Sequence, residues 1–430
     1  MAIPKANAGY FFNGFLFAEF IDTDKFKEDI NKLELTEVKE QWDLAQLFEN
    51  IVLTNPMIKS KVDKVFFENI LYSHLKNVYV NKITAHPSLA IELFKQKVKG
   101  LIEELNYKET IPMNYYSEMK DDGFYLMDAL HITVTGTKFL AGYDFTEKNG
   151  VVKEARFLFV EVVRRGEKPC YFISGVSINF ETGVSMILIR NIQGISKEND
   201  DLEAPNNTVN KLYYQVLKSV YEKLDIKLDK IDITADREGM YNFCKELDDY
   251  LLEDIRMEVT KKTTEQIKQS VQNLNKTLFP SEKRLSSTDK QDLGDKINSI
   301  LLAYYLKYNI TSKELVEKAK RLNLKGYPTK IKFMGSNSTR SSTQSASSKQ
   351  PVVISDDYHG LYFSFTEALE LEKWSISWFT DFKFDILADV DVIQTTIHST
   401  RNNFKIVFLP DRPLEKEIIE HVVTSINSYR

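Results

Sequence analysis

The feature that most constrains this chain is a run of four apolar segments with period-two patterning between His131 and Ile192. These segments read HITVTGTKFLAGYDF, ARFLFVEVV, PCYFISGVSINF and VSMILIRNI. Alternating apolar and polar residues are typical of strands. The joins TEKNGVVKE, RRGEK and ETG each contain a glycine, which can take the positive φ of a tight turn. Because joins this short connect neighbouring strands in antiparallel order, the sequence predicts an antiparallel β-meander.

Helical periodicity lies on both sides of this meander. TEVKEQWDLAQLFENIVL and HPSLAIELFKQKVKGLIEELNY precede it, and TVNKLYYQVLKSVYEKL and REGMYNFCKELDDYLLEDI follow it. Between the last two, KIDIT is predicted to be a short strand. Farther along, VVISDDYHGLYFSF, WSISWFTDFKFDIL, VDVIQTTIHST and NFKIVFLP are strand-like, and LEKEIIEHVVTSINSY is predicted to close the chain as a helix.

The predicted fold class is a multidomain α+β protein. A chain of 430 residues has room for about two to four domains. The predicted segments are a mainly helical N-terminal region (1–127), a meander core with packed helices (128–255), a basic helical segment (256–334), a Ser/Thr-rich linker or loop (335–351) and a small C-terminal α+β module (352–430).

Composition and missing motifs narrow the functional classes. The two cysteines, Cys170 and Cys244, are far apart and belong to no Cys/His cluster, which argues against a zinc ribbon or a disulfide framework. Reduced thiols and the lack of a long apolar run predict a cytoplasmic protein without a membrane partner. The sequence lacks the motifs GxGxxG, GxxxxGK[ST], HExxH and GxSxG. Their absence argues against the common classes of nucleotide-binding protein and hydrolase that carry them.

Charge is unevenly distributed along the chain. Arg256 to Arg340 contains 18 basic and 8 acidic residues, a net charge of +10, whereas the whole chain carries −5. Clustered cations attract phosphates, and the interleaved tyrosines could stack on bases. The segment is therefore predicted to contact DNA or RNA, with a solvated lysine-rich face as the alternative. The candidate residues are Lys261, Lys262, Lys268, Lys283, Arg284, Lys318, Lys320, Arg321 and Lys325.

The order meander, helix, strand, helix from His131 to Asp254 resembles the RNase H-like fold of nucleases and transposases. Within it, ITADREGMYNF resembles the strand-end segment of DDE-type transposases. The resemblance implies a metal-dependent nuclease with Asp144, Asp236 and Glu246 as catalytic carboxylates. Asp144 and Asp236 would hold Mg²⁺ or Mn²⁺, since two such ions clamp the attacking and leaving oxygens of phosphoryl transfer. The alternative for Asp236 is a helix N-cap.

Three functional hypotheses follow from the sequence. The leading hypothesis is a cytoplasmic nucleic-acid-binding or assembly-component protein that contacts phosphates through the basic helical segment. The second is the RNase H-like nuclease, and the third is a protein–protein interaction scaffold. Nucleic acid, a protein partner and self-association therefore all remain candidate partners.

Overall fold

The computed structural model describes residues 10–34, 38–86, 89–105, 111, 123–191, 205–335, 340–381, 390–410 and 412–430. Its helices are α1 (Phe15–Ala18), α2 (Thr23–Lys32), α3 (Leu44–Thr54), α4 (Lys59–Tyr72), α5 (Ile91–Leu105), α6 (Pro205–Val216), α7 (Ile233–Leu278), α8 (Ser287–Asn309), α9 (Ser312–Arg321), α10 (Asp356–Ala368) and α11 (Lys416–Asn427). Its strands are β1 (Asn77–Ala85), β2 (Gly123–Tyr125), β3 (Lys138–Lys148), β4 (Val151–Arg165), β5 (Lys168–Asn179), β6 (Val184–Ile189), β7 (Lys227–Leu228), β8 (Gly326–Met334), β9 (Arg340–Gln344), β10 (Lys373–Phe379), β11 (Val392–Ser399) and β12 (Phe404–Phe408).

The chain forms two compact units. The first contains Met1–Lys230 and Asp411–Ile419, and the second contains Ile231–Pro410 and Glu420–Arg430. The division of the chain into the five segments listed above stays a prediction. Among the helices that the structure describes, none combines the length and the apolar character needed to cross a membrane.

The first unit is built on the predicted meander. Its strands follow the order β2-β3-β4-β5-β6-β1, all antiparallel, and the short β7 pairs with the end of β1. Asn149 and Gly150 turn the chain between β3 and β4 with φ values of 57° and 75°, as a tight hairpin turn requires. The meander β3–β6 is therefore confirmed. The sequence missed β1, which lies beside β6 within the region predicted to be mainly helical.

The strands of the second unit pair in the antiparallel order β12-β11-β10-β8-β9. Helix α7 packs on one face of these strands through Phe243, whose ring centroid lies 5.6 Å from that of Trp374 and 5.8 Å from that of Trp378. Both tryptophans are fully buried. Phe365 on α10 contacts Phe333 on β8 with ring centroids 5.7 Å apart. These apolar contacts form the core of the second unit.

The prediction of a strand at KIDIT is wrong. Asp232 has extended backbone, and its side chain accepts hydrogen bonds from the amides of Thr234 and Ala235. This bonding satisfies two amides that a helix start leaves without partners. The chain therefore enters α7 at Ile233, and Asp236 lies in the first helical turn.

Other differences lie in the C-terminal half. VVISDDYHGLYFSF, predicted to be a strand, forms a 3₁₀ turn and then α10, because acidic residues at its start favour a helix N-terminus. The basic helical segment ends in a strand, β8. Part of the Ser/Thr-rich linker or loop is β9, which pairs with β8.

The α+β fold class with a large antiparallel sheet is confirmed. The described strands do not form the RNase H-like arrangement that the sequence resemblance implied. The strand that follows α6 has two residues, Lys227–Leu228, and pairs with β1. The strand that carries Asp144, β3, lies instead between β2 and β4.

Candidate functional site

Asp144, the first predicted catalytic carboxylate, belongs to a hydrogen-bonded network on β3. The Nε atom of Arg156 donates to it at 2.8 Å, and the hydroxyl of Tyr125 donates at 2.7 Å. Arg156 also donates to Glu68 on α4 at 2.8 Å. Asp144 therefore joins β2, β4 and α4, and a bidentate arginine neutralises its charge.

Asp236 and Glu246, the other two predicted catalytic carboxylates, belong to the second unit, whereas Asp144 belongs to the first. Asp236 accepts a hydrogen bond from Nε of Arg430 at 2.8 Å and one from Ser399 at 3.2 Å. Glu246 accepts one from the hydroxyl of Tyr429 at 2.6 Å. Among the residues that the structure describes, no group of three or more His, Cys, Asp or Glu side chains is placed to hold a metal ion. The role implied for Mg²⁺ or Mn²⁺ at these carboxylates stays a prediction.

Two of the predicted nucleic-acid-binding lysines have acidic partners within the second unit. Lys318 forms an ion pair with Asp254. Lys320 is buried, and its Nζ atom lies 3.8 Å from a carboxylate oxygen of Asp381. Lys320 is thus part of the interior of the unit, so its charge is not presented to an external phosphate.

The remaining predicted cations are spread over α7, the end of α9 and two connecting segments. Lys262 pairs with Glu258 at 2.6 Å and lies over the ring of Tyr305, and Lys325 lies over the ring of Phe243. The exposed members are Lys261, Lys262, Lys268, Lys283, Arg284 and Arg321. Glu258 and Glu265 on α7 and Glu314 and Glu317 on α9 lie among them, so these helices carry a mixed surface rather than a continuous basic one.

A more concentrated set of basic side chains lies on the strands of the second unit. Lys373 on β10 pairs in register with Lys332 on β8 and with His398 on β11. His398 in turn pairs with Lys405 on β12. Neighbouring strands are about 4.8 Å apart, so these four residues form a row about 14 Å long across four strands. We call Lys332, Lys373, His398 and Lys405 the basic row.

The basic row is on the face of the sheet opposite to the core. The residues that alternate with it are Ile331, Trp374, Ile397 and Ile406, all fully buried. Because successive side chains of a strand point to opposite faces, burial of this set directs the basic row away from the core. All four members of the row are partly exposed.

The electrostatics of the row show crowded positive charge. The pKa of His398 is lowered to about 4, by burial first and then by the charges of Lys373 and Lys405. The pKa of Lys373 is lowered by burial and by Lys330 and Lys332. Burial and Lys373 lower the pKa of Lys405 in the same way. A nearby anion would relieve this crowding, because it favours the protonated form of each group.

One carboxylate limits the row at its β8 end. Glu372 lies 3.2 Å from the Nζ atom of Lys332 and 3.4 Å from Nε of Arg340. Next to the row, Lys330 donates a hydrogen bond to Gln344 at 2.9 Å. These neighbours hold the lysine side chains across the sheet and leave a basic surface that extends from β9 to β12.

The sequence alone indicates only some of the residues of the basic row. Lys330 and Lys332 fall within the basic stretch, but Lys373, His398 and Lys405 each stand alone on a separate short strand. Period-two alternation places each of them on the polar face of its strand. Their alignment depends on the register of four strands, and local sequence patterns do not contain that register.

Comparisons with protein families, with curated proteins and with solved structures find no match to this chain. The class that the geometry defines is an α+β protein with a large antiparallel sheet and a basic row on the strands of its second unit. Functional inference therefore depends on that row and on the surfaces beside it.

Proposed function

We propose that this chain binds nucleic acid through the sheet of its second unit. The observation that carries the proposal is the in-register alignment of Lys332, Lys373, His398 and Lys405. Lysines held at neighbouring-strand spacing form a line of charge that a chain of phosphates can follow across the strands. The proposal keeps the nucleic-acid function predicted from the sequence and moves its main contact surface from the helices to the sheet.

Phosphate contact is the recognition mode that fits these side chains. The ammonium groups of Lys332, Lys373 and Lys405 neutralise phosphates and carry no direct sequence information, and the imidazole of His398 can donate a hydrogen bond to a phosphate oxygen. Releasing counterions from nucleic acid makes such binding strongly dependent on salt. The expected activity is therefore binding with little sequence preference that does not require a metal ion.

The test is fluorescence anisotropy with labelled single- and double-stranded DNA and RNA in EDTA across a salt series. The variant Lys332→Gln with Lys373→Gln removes two charges from the basic row. The matched control, Lys261→Gln with Lys283→Gln, removes two exposed charges from the helices. We expect the row variant to reduce the slope of log affinity against log salt by about 1.8 on duplex, or about 1.4 on single strands.

The two variants separate the surfaces because they change net charge equally. A loss of nucleic-acid affinity confined to the row variant supports the sheet as the binding surface. A loss confined to the helix variant would return the interface to the basic helical segment. No binding by the unaltered chain at low salt would overturn the nucleic-acid function itself.

A further inference from the structure

His398 differs from the other members of the basic row because an imidazole gains or loses its charge near neutral pH. It pairs in register with Lys373 on β10 and with Lys405 on β12. Because neighbouring strands are about 4.8 Å apart, a lysine stands beside the imidazole on each side. An unperturbed histidine titrates at about pH 6.5, so these two neighbours decide whether His398 carries a proton.

The charged groups that face His398 from the neighbouring strands are both cations. The charges of Lys373 and Lys405 add to the effect of burial in lowering its pKa to about 4. On β11 itself, the side chains that share its face nearby, Gln394 and Thr396, are uncharged. The imidazole is therefore neutral at pH 7 in the free chain, although it stands in a row of positive charge.

The carboxylate nearest to the row does not offset this crowding at His398. Glu372 lies at the β8 end of the row, 3.2 Å from the Nζ atom of Lys332 and 3.4 Å from Nε of Arg340. Lys332 also adds its charge to the crowding at Lys373. The centre of the row thus has an excess of positive charge that an external anion can neutralise.

A phosphate bound across Lys373 and Lys405 would reverse the balance at His398. An opposite charge within a few ångströms favours the protonated form of an imidazole. The imidazolium donates hydrogen bonds from both ring nitrogens, whereas the neutral ring donates from one. Because coupling between two ligands is reciprocal, phosphate raises the affinity of His398 for a proton, and the proton raises the affinity of the row for phosphate by the same factor.

We infer that His398 couples nucleic-acid binding at the basic row to the uptake of one proton, so that the chain binds phosphates more tightly as the pH falls. The inference rests on the proposed function and describes how the same surface is regulated. The lysines of the row stay charged between pH 5 and pH 7, so His398 is the member whose charge changes there. Affinity therefore rises as the pH falls through the pKa that His398 has in the complex.

Fluorescence anisotropy with labelled duplex DNA and labelled single-stranded RNA, in EDTA at constant ionic strength, tests the inference from pH 5.0 to pH 8.0. Phosphodiesters stay ionised throughout, so the charge of the probe is constant. We expect the unaltered chain to gain about tenfold in affinity between pH 7.5 and pH 5.0, the change for a pKa that rises by about two units on binding.

Three variants assign this gain to His398. His398→Gln should remove it, because glutamine takes up no proton. His398→Lys should bind tightly at every pH in the range, because its charge is permanent. The matched control, His131→Gln, changes an exposed histidine of the first unit and should keep the gain.

Calorimetry counts the protons directly. Titrating the same DNA duplex into the chain in buffers of different ionisation enthalpy should show uptake of about 0.7 proton per chain at pH 5.5. His398→Gln should lack that uptake, and His131→Gln should keep it.

Each outcome separates this inference from the proposal on which it rests. Binding by the unaltered chain that does not change with pH, or a gain that persists in His398→Gln, would overturn the inference and leave nucleic-acid binding intact. If glutamine unfolds the sheet, as circular dichroism would show, His398→Lys decides, because a gain that persists in that variant has the same meaning. No binding at any pH would overturn both.

Discussion

At the scale of single residues, the carboxylates singled out in the sequence act as fixed internal acceptors. Asp144 is held by Arg156 and Asp236 by Arg430. The sequence showed that each carboxylate ends or begins an element, but not which cation it meets, because those cations are supplied by other strands or by the far end of the chain. Arg430 is 194 positions from Asp236, beyond the reach of local patterns.

Asp236→Ala should lower the free energy of unfolding by about 3–5 kcal/mol, because it removes a carboxylate from a buried ion pair and leaves the charge of Arg430 behind. Urea denaturation would measure this loss. In a double-mutant cycle, the variant that combines Asp236→Ala with Arg430→Met should lose less free energy of unfolding than the two single variants lose in total. Additive effects would show that the two residues are not coupled.

A second buried cluster predicts a dependence of stability on pH. Lys59 lies 2.8 Å from Asp63 and 2.9 Å from Asp128, and Tyr10 donates to Asp128 at 2.7 Å. Burial and the charge of Asp128 raise the pKa of Asp63 to about 7, against the opposing effect of Lys59. The folded state thus favours protonated Asp63, so its contribution to stability is complete below about pH 4 and lost as the pH rises through 7.

Asp63→Asn should remove this loss. Relative to the unaltered chain, the variant should gain roughly 1–3 kcal/mol between pH 4 and pH 8, since it no longer ionises a buried group. Denaturant unfolding at several pH values measures the gain. Glu103→Gln, an exposed change on α5, serves as the control and should give a difference that does not vary with pH.

At the scale of elements, local chemistry predicted helices and hairpins better than it predicted the ends of strands. The meander was predictable because each join contains a turn glycine. KIDIT was misassigned because Asp232 can end a strand or cap a helix, and its hydrogen bonds to Thr234 and Ala235 decide for the helix. Strand β1 was missed because NVYVNKITA follows a helical segment without turn residues.

Asp232→Ala should destabilise the second unit by about 1 kcal/mol, the usual effect of removing an N-cap. Asp229→Ala is the matched control, because Asp229 is exposed, three residues earlier and outside the cap. Thermal unfolding of the two variants would compare them directly. Equal effects would mean that the cap of α7 contributes nothing measurable.

At the scale of the whole molecule, the chain is organised by contacts between distant segments. Residues Asp411–Ile419 group with the first unit, whereas Glu420–Arg430 group with the second. Composition and periodicity divide a sequence only into contiguous pieces, so this grouping could not be read from them. The basic row escaped prediction for the same reason, because its members meet only through pairing of β8, β10, β11 and β12.

Crowding of like charges on the second sheet also has a consequence for evolution and engineering. The lysines whose pKa values are lowered, Lys373 and Lys405, disfavour the folded state when they are protonated, so the free protein loses some stability by carrying them on the sheet. Replacing Lys373 by Met should therefore raise the melting temperature of the free protein while weakening its capture of polyanions. A melting temperature that stays the same or falls would show that the lysines impose no such trade-off.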